Sequence, residues 1–207
     1  MEKVCILSDN EFTKFLDLIS PPLKFYLDKE NVLFRNFENF SLDFKRVISF
    51  DSLRNKSFFE KFTQYLNKDS CFIFFDSLLS NPLIEFLLSY GVSKEKILIL
   101  GGDGFLNLIN DFSSENKIQK ISLNSVLEDI DNIADTLMEF TQRRETFLFV
   151  NFNILESFEL GGLTARQLIY LVQRLSKLNN LKLVNFENIN SDETLLKLGL
   201  KLTLDLI

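Results

Sequence analysis

The chain has no histidine and no tryptophan, only two cysteines, three prolines and seven glycines in 207 residues, and alanine occurs only at Ala134 and Ala165. Without histidine there is no imidazole to serve as a general base near neutral pH or as a neutral metal ligand. A cysteine nucleophile therefore lacks a histidine base. Cys5 and Cys71 lie far apart, each inside an apolar run, VCIL and CFIFF. A free thiol in such a run behaves as a small buried hydrophobe, so a reducing, cytoplasmic location is expected. Positive charge is also scarce: 23 Lys and Arg face 29 Asp and Glu, a net charge of -6. That balance argues against binding a nucleic acid backbone or an anionic membrane surface, both of which need a positive field. No stretch approaches the roughly 20 apolar residues that span a bilayer, and the apolar run of MEKVCILSDNEFTKF is too short for a signal peptide. A soluble protein with no membrane partner is expected.

What the chain does have is apolar bulk, with 46% hydrophobic residues and 23 phenylalanines. Phenylalanine buries large apolar area wherever it fits, so these rings read as core filler rather than a binding platform. The length suits one domain over residues 1–207, with no linker, repeat or low-complexity tract. Short apolar runs at 46–50, 71–75, 97–100, 120–123, 146–152 and 181–186 read as buried strands. Between them SFFEKFTQYLN, PLIEFLLSYG, FLNLINDF, the stretch from Val126 to Phe140 and ARQLIYLVQRLSKL repeat apolar residues every three and four positions, the period of amphipathic helices. Alternating strands and helices predict a three-layer α/β/α fold around a mostly parallel, doubly wound sheet. Residues 1–45, interrupted by Pro21 and Pro22, predict helix plus irregular chain.

Punctuation agrees with these boundaries. Asn81 and Pro82 open a helix, Gly91 closes one, and Thr164 is placed to cap the helix that begins near Ala165. The run ILILGGDGFLNLI sets Gly101, Gly102, Asp103 and Gly104 between a strand and a helix. Such a turn can cradle a phosphate, but the tight backbone alone accounts for its glycines. Glu128, Asp129, Asp131 and Asp135 read as the solvated side of a helix.

From Gly101 onward the motifs resemble, in order, those of the arginases, agmatinases and formimidoylglutamases. GGDG is similar to their GGDH turn, with Gly104 at the metal-binding histidine; it also looks like the GGDG turn of diacylglycerol and NAD kinases, but Phe105 stands where those usually have threonine and no second glycine-rich loop follows. The family's D-A-H-x-D motif is matched by Asn124, Ser125, Val126, Leu127 and Glu128, of which only Glu128 can ligate a cation. FVNFNILES resembles S-x-D-x-D-x-L-D-P, with Asn151 and Asn153 on the two metal-binding aspartates, Glu156 on the third and Leu155 retained. Gly161, Gly162, Leu163, Thr164 and Arg166 reproduce a GGLT-x-R run, the most specific match. NFENIN resembles V-x-E-V-N-P, with Asn188 in place of a substrate-contacting glutamate and Glu187 one position away. The resemblance covers residues 80–207 and implies a shortened arginase-like fold.

The same resemblance implies that the chemistry is gone. A binuclear manganese hydrolase needs imidazoles and several carboxylates, whereas Asn151 and Asn153 offer neutral amides that cannot offset two divalent charges. Without bound cations no metal-activated hydroxide forms at neutral pH. The expectation is therefore no resident cofactor and no catalytic residue. Asp103, Glu128 and Glu156 remain as contacts for a single weak cation or a ligand. Three functions follow: a structural or regulatory subunit that binds a protein partner or itself, with Arg166, Gln167 and Arg174 as interface candidates; a small-ligand sensor built on Asn151, Asn153 and Asn188; or, least favoured, a metal-dependent C–N hydrolase of the arginase and agmatinase class.

Overall fold

The computed structural model describes residues 4–7, 32–35, 37, 41, 43–51, 56–76, 82–101, 118–155, 162–189 and 192–207. Eight strands, β1 (Val4–Leu7), β2 (Leu33–Arg35), β3 (Arg46–Phe50), β4 (Cys71–Phe75), β5 (Ile97–Leu100), β6 (Gln119–Ile121), β7 (Thr146–Asn151) and β8 (Leu181–Glu187), form one sheet in the order β2-β1-β3-β8-β7-β4-β5-β6. Every pairing is parallel. Both faces of such a sheet are covered, which is why RVISF, CFIFF, ILIL and TFLFVN are buried at every position rather than at alternate ones. Helices α1 (Lys56–Tyr65) and α2 (Pro82–Tyr90) pack on one face. On the other lie α3 (Leu123–Glu128), α4 (Ile130–Thr141), α5 (Ala165–Ser176) and α6 (Glu193–Leu206). The three-layer α/β/α architecture expected from the sequence is therefore present.

Two details differ from the sequence reading. The first 45 residues contribute strands β1 and β2, not only helix and irregular chain. The helix expected from Val126 to Phe140 is split at Asp129 (φ -153°, ψ 82°), whose carboxylate accepts the backbone N–H of Asn132 and caps a new helix, α4. The helix expected at FLNLINDF lies outside the described residues.

The phenylalanines follow the register of the sheet. Phe72 faces Phe147 and Phe74 faces Phe149, and these neighbours stack at 5.3 and 5.1 Å between ring centroids. Phe62 of α1 meets Phe147 and Phe149 edge-on at 5.6 and 6.0 Å. Such offset and edge-to-face pairs add to the burial energy of each ring. Cys5 and Cys71 are free and buried, and burial pushes the Cys5 thiol up to about 11. The Cys71 thiol is raised too, by burial, with the nearby Arg144 guanidinium pulling it partly back. Among the described residues no helix is long and apolar enough to cross a membrane.

The first residue of β3, Arg46, is 5% exposed. Its Nε donates to the Leu181 carbonyl (3.3 Å), Nη1 to that of Leu206 (2.6 Å), and Nη2 to those of Ser176 (2.9 Å) and Leu178 (3.0 Å). One guanidinium thus closes the carboxyl ends of α5 and α6 and the start of β8, where unpaired carbonyls and the helix dipoles both favour a cation. Burial pushes its pKa down to about 10, which leaves it charged at neutral pH.

Two predictions follow from this core. Arg46→Ala leaves several buried carbonyls unpaired and is expected to cost about 3–5 kcal/mol, read as a lower urea midpoint. Neither thiol of the native protein is expected to react with Ellman's reagent at pH 8, and both should react once the chain is unfolded in urea.

Candidate functional site

Parallel α/β sheets bind ligands beyond the carboxyl ends of their strands, where the chain order reverses. Here the last two strands, β7 and β8, are inserted between β3 and β4. The ends of β3, β8, β7 and β4 therefore converge on one edge. Strand side chains alternate between faces, so Ser49 and Asp51, Asn185 and Glu187, Asn151, and Asp76 all project on the α1/α2 side, one or two residues beyond its apolar rows. Each is a polar residue in or just beyond the last residues of an otherwise apolar strand.

These groups join in two hydrogen-bonded chains. In the inner one the Ser49 hydroxyl donates to Asn185 Oδ1 (2.7 Å), and Asn185 Nδ2 donates to Glu187 Oε1 (2.6 Å). In the outer one the Asn188 backbone N–H donates to Asp51 Oδ1 (2.7 Å), Asn188 Nδ2 to Asn151 Oδ1 (2.8 Å), and Asn151 Nδ2 to Asp76 Oδ1 (3.0 Å). Asn151 Oδ1 also accepts the backbone N–H of Asn153 (3.0 Å). That last contact fixes the amide's orientation, because a backbone N–H can only donate. The Asn151 oxygen must face Asn153, and its NH2 must face Asp76.

The backbone is shaped to hold this arrangement. Asp51 (φ 46°) and Asn188 (φ 60°) adopt the left-handed conformation that Asp and Asn tolerate better than most residues. Gly101 (φ 99°) lies so close to β4 that a Cβ there would sit 2.7 Å from the Asp76 carbonyl oxygen. Steric need alone explains that glycine. Asn151, Asp76, Asn185 and Glu187 are all buried, so each polar group needs partners within the protein, and those named above are among them.

Of the residues singled out from sequence, the structure brings together Asn151, Asn153 and Asn188, with Glu187 beside them. It does not bring Asn124, Val126 or Glu128 to this edge: all three lie on α3 after β6, and β4 and β5 stand between β6 and β7. Val126 is buried in the core, while Asn124 and Glu128 are exposed. Asp103, Gly104 and Glu156 lie outside the described residues. Gln167 forms a reciprocal cap with Thr164, and Arg174 pairs with Asp135 of α4, so both are engaged within the chain; Arg166 is exposed. Asp51, Asp76, Ser49 and Asn185 were not anticipated. The available signal was the polar end of VISFD and FIFFD for Asp51 and Asp76, and for Ser49 and Asn185 a polar residue two positions before the end of VISFD and LVNFE.

Neither a family model nor a curated protein sequence matches the chain. Its structure does match. The arginase of Entamoeba histolytica, solved with L-ornithine, superposes with a TM-score of 0.69 at 13% identity over 100% of this chain and 98% of that one. The arginase of Bacillus cereus gives 0.72 at 10% identity over 99% and 98%. The fold is arginase-like. A proclavaminate amidino hydrolase from Streptomyces clavuligerus shares it, at 0.70 and 11% identity over 99% and 90%.

The binuclear manganese site implied by an arginase-like fold does not fit the donors among the described residues. Asn151 turns an NH2 toward the Asp76 carboxylate and uses its oxygen on two N–H groups, so both ends of the amide are committed. Among the described residues no three Cys, Asp or Glu side chains gather to hold an ion. An aspartate at 151 would instead set oxygen against oxygen. Asn151→Asp is expected to destabilise the fold by about 2–3 kcal/mol at pH 7. The new carboxyl, raised by Asp76 and burial, binds its proton more tightly folded than unfolded, so stability falls as pH rises above about 4. Urea midpoints at pH 4.5 and 7 should differ more for the variant than for the wild type.

Proposed function

We propose that this chain is a non-catalytic protein on an arginase-like fold, serving as a structural or regulatory subunit of a larger assembly. The observation that carries this reading is the Asn151 amide, hydrogen-bonded to Asp76 and Asn188 at the strand ends where the resembled hydrolases hold metal. Sequence around the site supports it. Motifs that ligate the same pair of ions must end close together, and β4 is the neighbour of β7 whose end carries Asp76 against Asn151. The stretch that follows β4 reads Asp76, Ser77, Leu78, Leu79, Ser80. Set against the family's D-A-H-x-D it keeps the first aspartate, with leucine for histidine and serine for the last aspartate. With no imidazole in the chain and with the Asn151 amide committed at both ends, the site lacks the donors for a metal-activated hydroxide in C–N hydrolysis.

A second reading, a sensor of a small uncharged ligand, draws on the amides of Asn153 and Asn188, which are half-buried at the same edge. The two readings separate experimentally. Affinity purification of the tagged chain from its native cells, with mass spectrometry, is expected to recover one partner at near-equal stoichiometry. Recovery of the chain alone, together with thermal stabilisation by a member of a neutral amide and amino-alcohol panel, would replace the subunit reading with the sensor. Stoichiometric manganese retained after dialysis, with release of urea from arginine or agmatine, would sink both.

A further inference from the structure

The opposite edge of the sheet, at the amino ends of β7 and β8, carries a cavity of about 630 Å³ between the turn that leaves α4 and the turn that leaves α5. Its floor is Met138 and Leu178, both packed against the core. Its rim holds three cations, Arg143, Lys177 and Lys182, against a single carboxylate, Glu145. In a chain of net charge -6 this is a local reversal of sign. None of the three cations forms an ion pair among the described residues. The turns are fixed rather than improvised: Thr146 N–H donates to the Asn180 carbonyl (2.9 Å), Arg144 N–H to that of Thr141 (2.8 Å), and Arg143 holds a left-handed backbone (φ 65°).

Cations near helix carboxyl ends also offset the helix dipole, which accounts for Lys177 at the cap of α5 and for Arg143 just beyond α4. It does not account for Lys182, which belongs to β8 and is the extra residue where the β7–β8 register shifts. Three cations from two turns and a strand, lining one cavity of ligand-sized volume together with Met138 and Leu178, match a small organic anion. The planar guanidinium of Arg143 suits the paired oxygens of a phosphate or carboxylate, and the lysines serve as point charges around it.

We propose that this cavity binds a small metabolite bearing at least two negative charges on a partly apolar body, a phosphate ester or a polycarboxylate, independently of the strand-end site. The test is calorimetric titration of the whole chain at low ionic strength with AMP, inorganic pyrophosphate and citrate as separate probes. At least one is expected to bind with Kd of about 1 mM or tighter. Affinity should weaken as salt is added. Binding by AMP or pyrophosphate assigns a phosphate site, and binding by citrate alone assigns a polycarboxylate site. The triple variant R143A/K177A/K182A and the single variant Lys177→Glu, both checked for an unchanged urea midpoint, should each bind at least tenfold more weakly. No binding by any probe, or equal binding by both variants, overturns the proposal.

Discussion

A parallel sheet covered on both faces leaves its polar side chains only one place to go, the ends of its strands. In this molecule that constraint organises both edges. At the amino edge Arg46 is drawn into a ring of carbonyls that closes α5, α6 and the start of β8. At the carboxyl edge Ser49, Asp51, Asp76, Asn151, Asn185, Glu187 and Asn188 satisfy one another across four strands. Everything between is apolar, which is why stacked phenylalanines can run in register from β4 to β7 without interruption. The two polar edges are different in kind: one is a buried charge held by backbone, the other a relay of neutral amides and carboxylates.

Much of the architecture was legible from local pattern. RVISF, CFIFF and ILIL form strands at the positions where unbroken apolar runs placed them, because a doubly covered strand needs no polar alternation. Pro82 and Gly91 bound α2 as their backbone preferences dictate. Where the pattern misled, a single polar side chain had intervened: Asp129 sits in an otherwise continuous helical period, and only its capping bond shows that one helix has become two. β1 and β2 were hidden for another reason, since they lie in the amino-terminal stretch of mixed periodicity interrupted by Pro21 and Pro22, and β2 has only three residues.

The site was legible only in part, and the reason is topological. Asn151, Asn153 and Asn188 stood out because they occur inside recognisable motifs close to one another in sequence. Asp51 and Asp76 come from strands laid down much earlier, and their membership depends on β7 and β8 being threaded between β3 and β4. No linear reading supplies that insertion. Asn124 and Glu128 had plausible spacing but follow β6, the edge strand, so spacing without strand order placed them near a site they do not reach. Arg46 gave no signal either, since a lone arginine at the start of an apolar run does not announce which carbonyls it will meet.

The orientation of the Asn151 amide has a consequence for how such a protein lives in a cell. A side chain that carries no charge at physiological pH and has both ends occupied gains nothing from a divalent cation and loses nothing from its scarcity. The junction of β4, β7 and β8 is therefore held together by the chain's own amide and carboxylate groups, each strand end tied to the next.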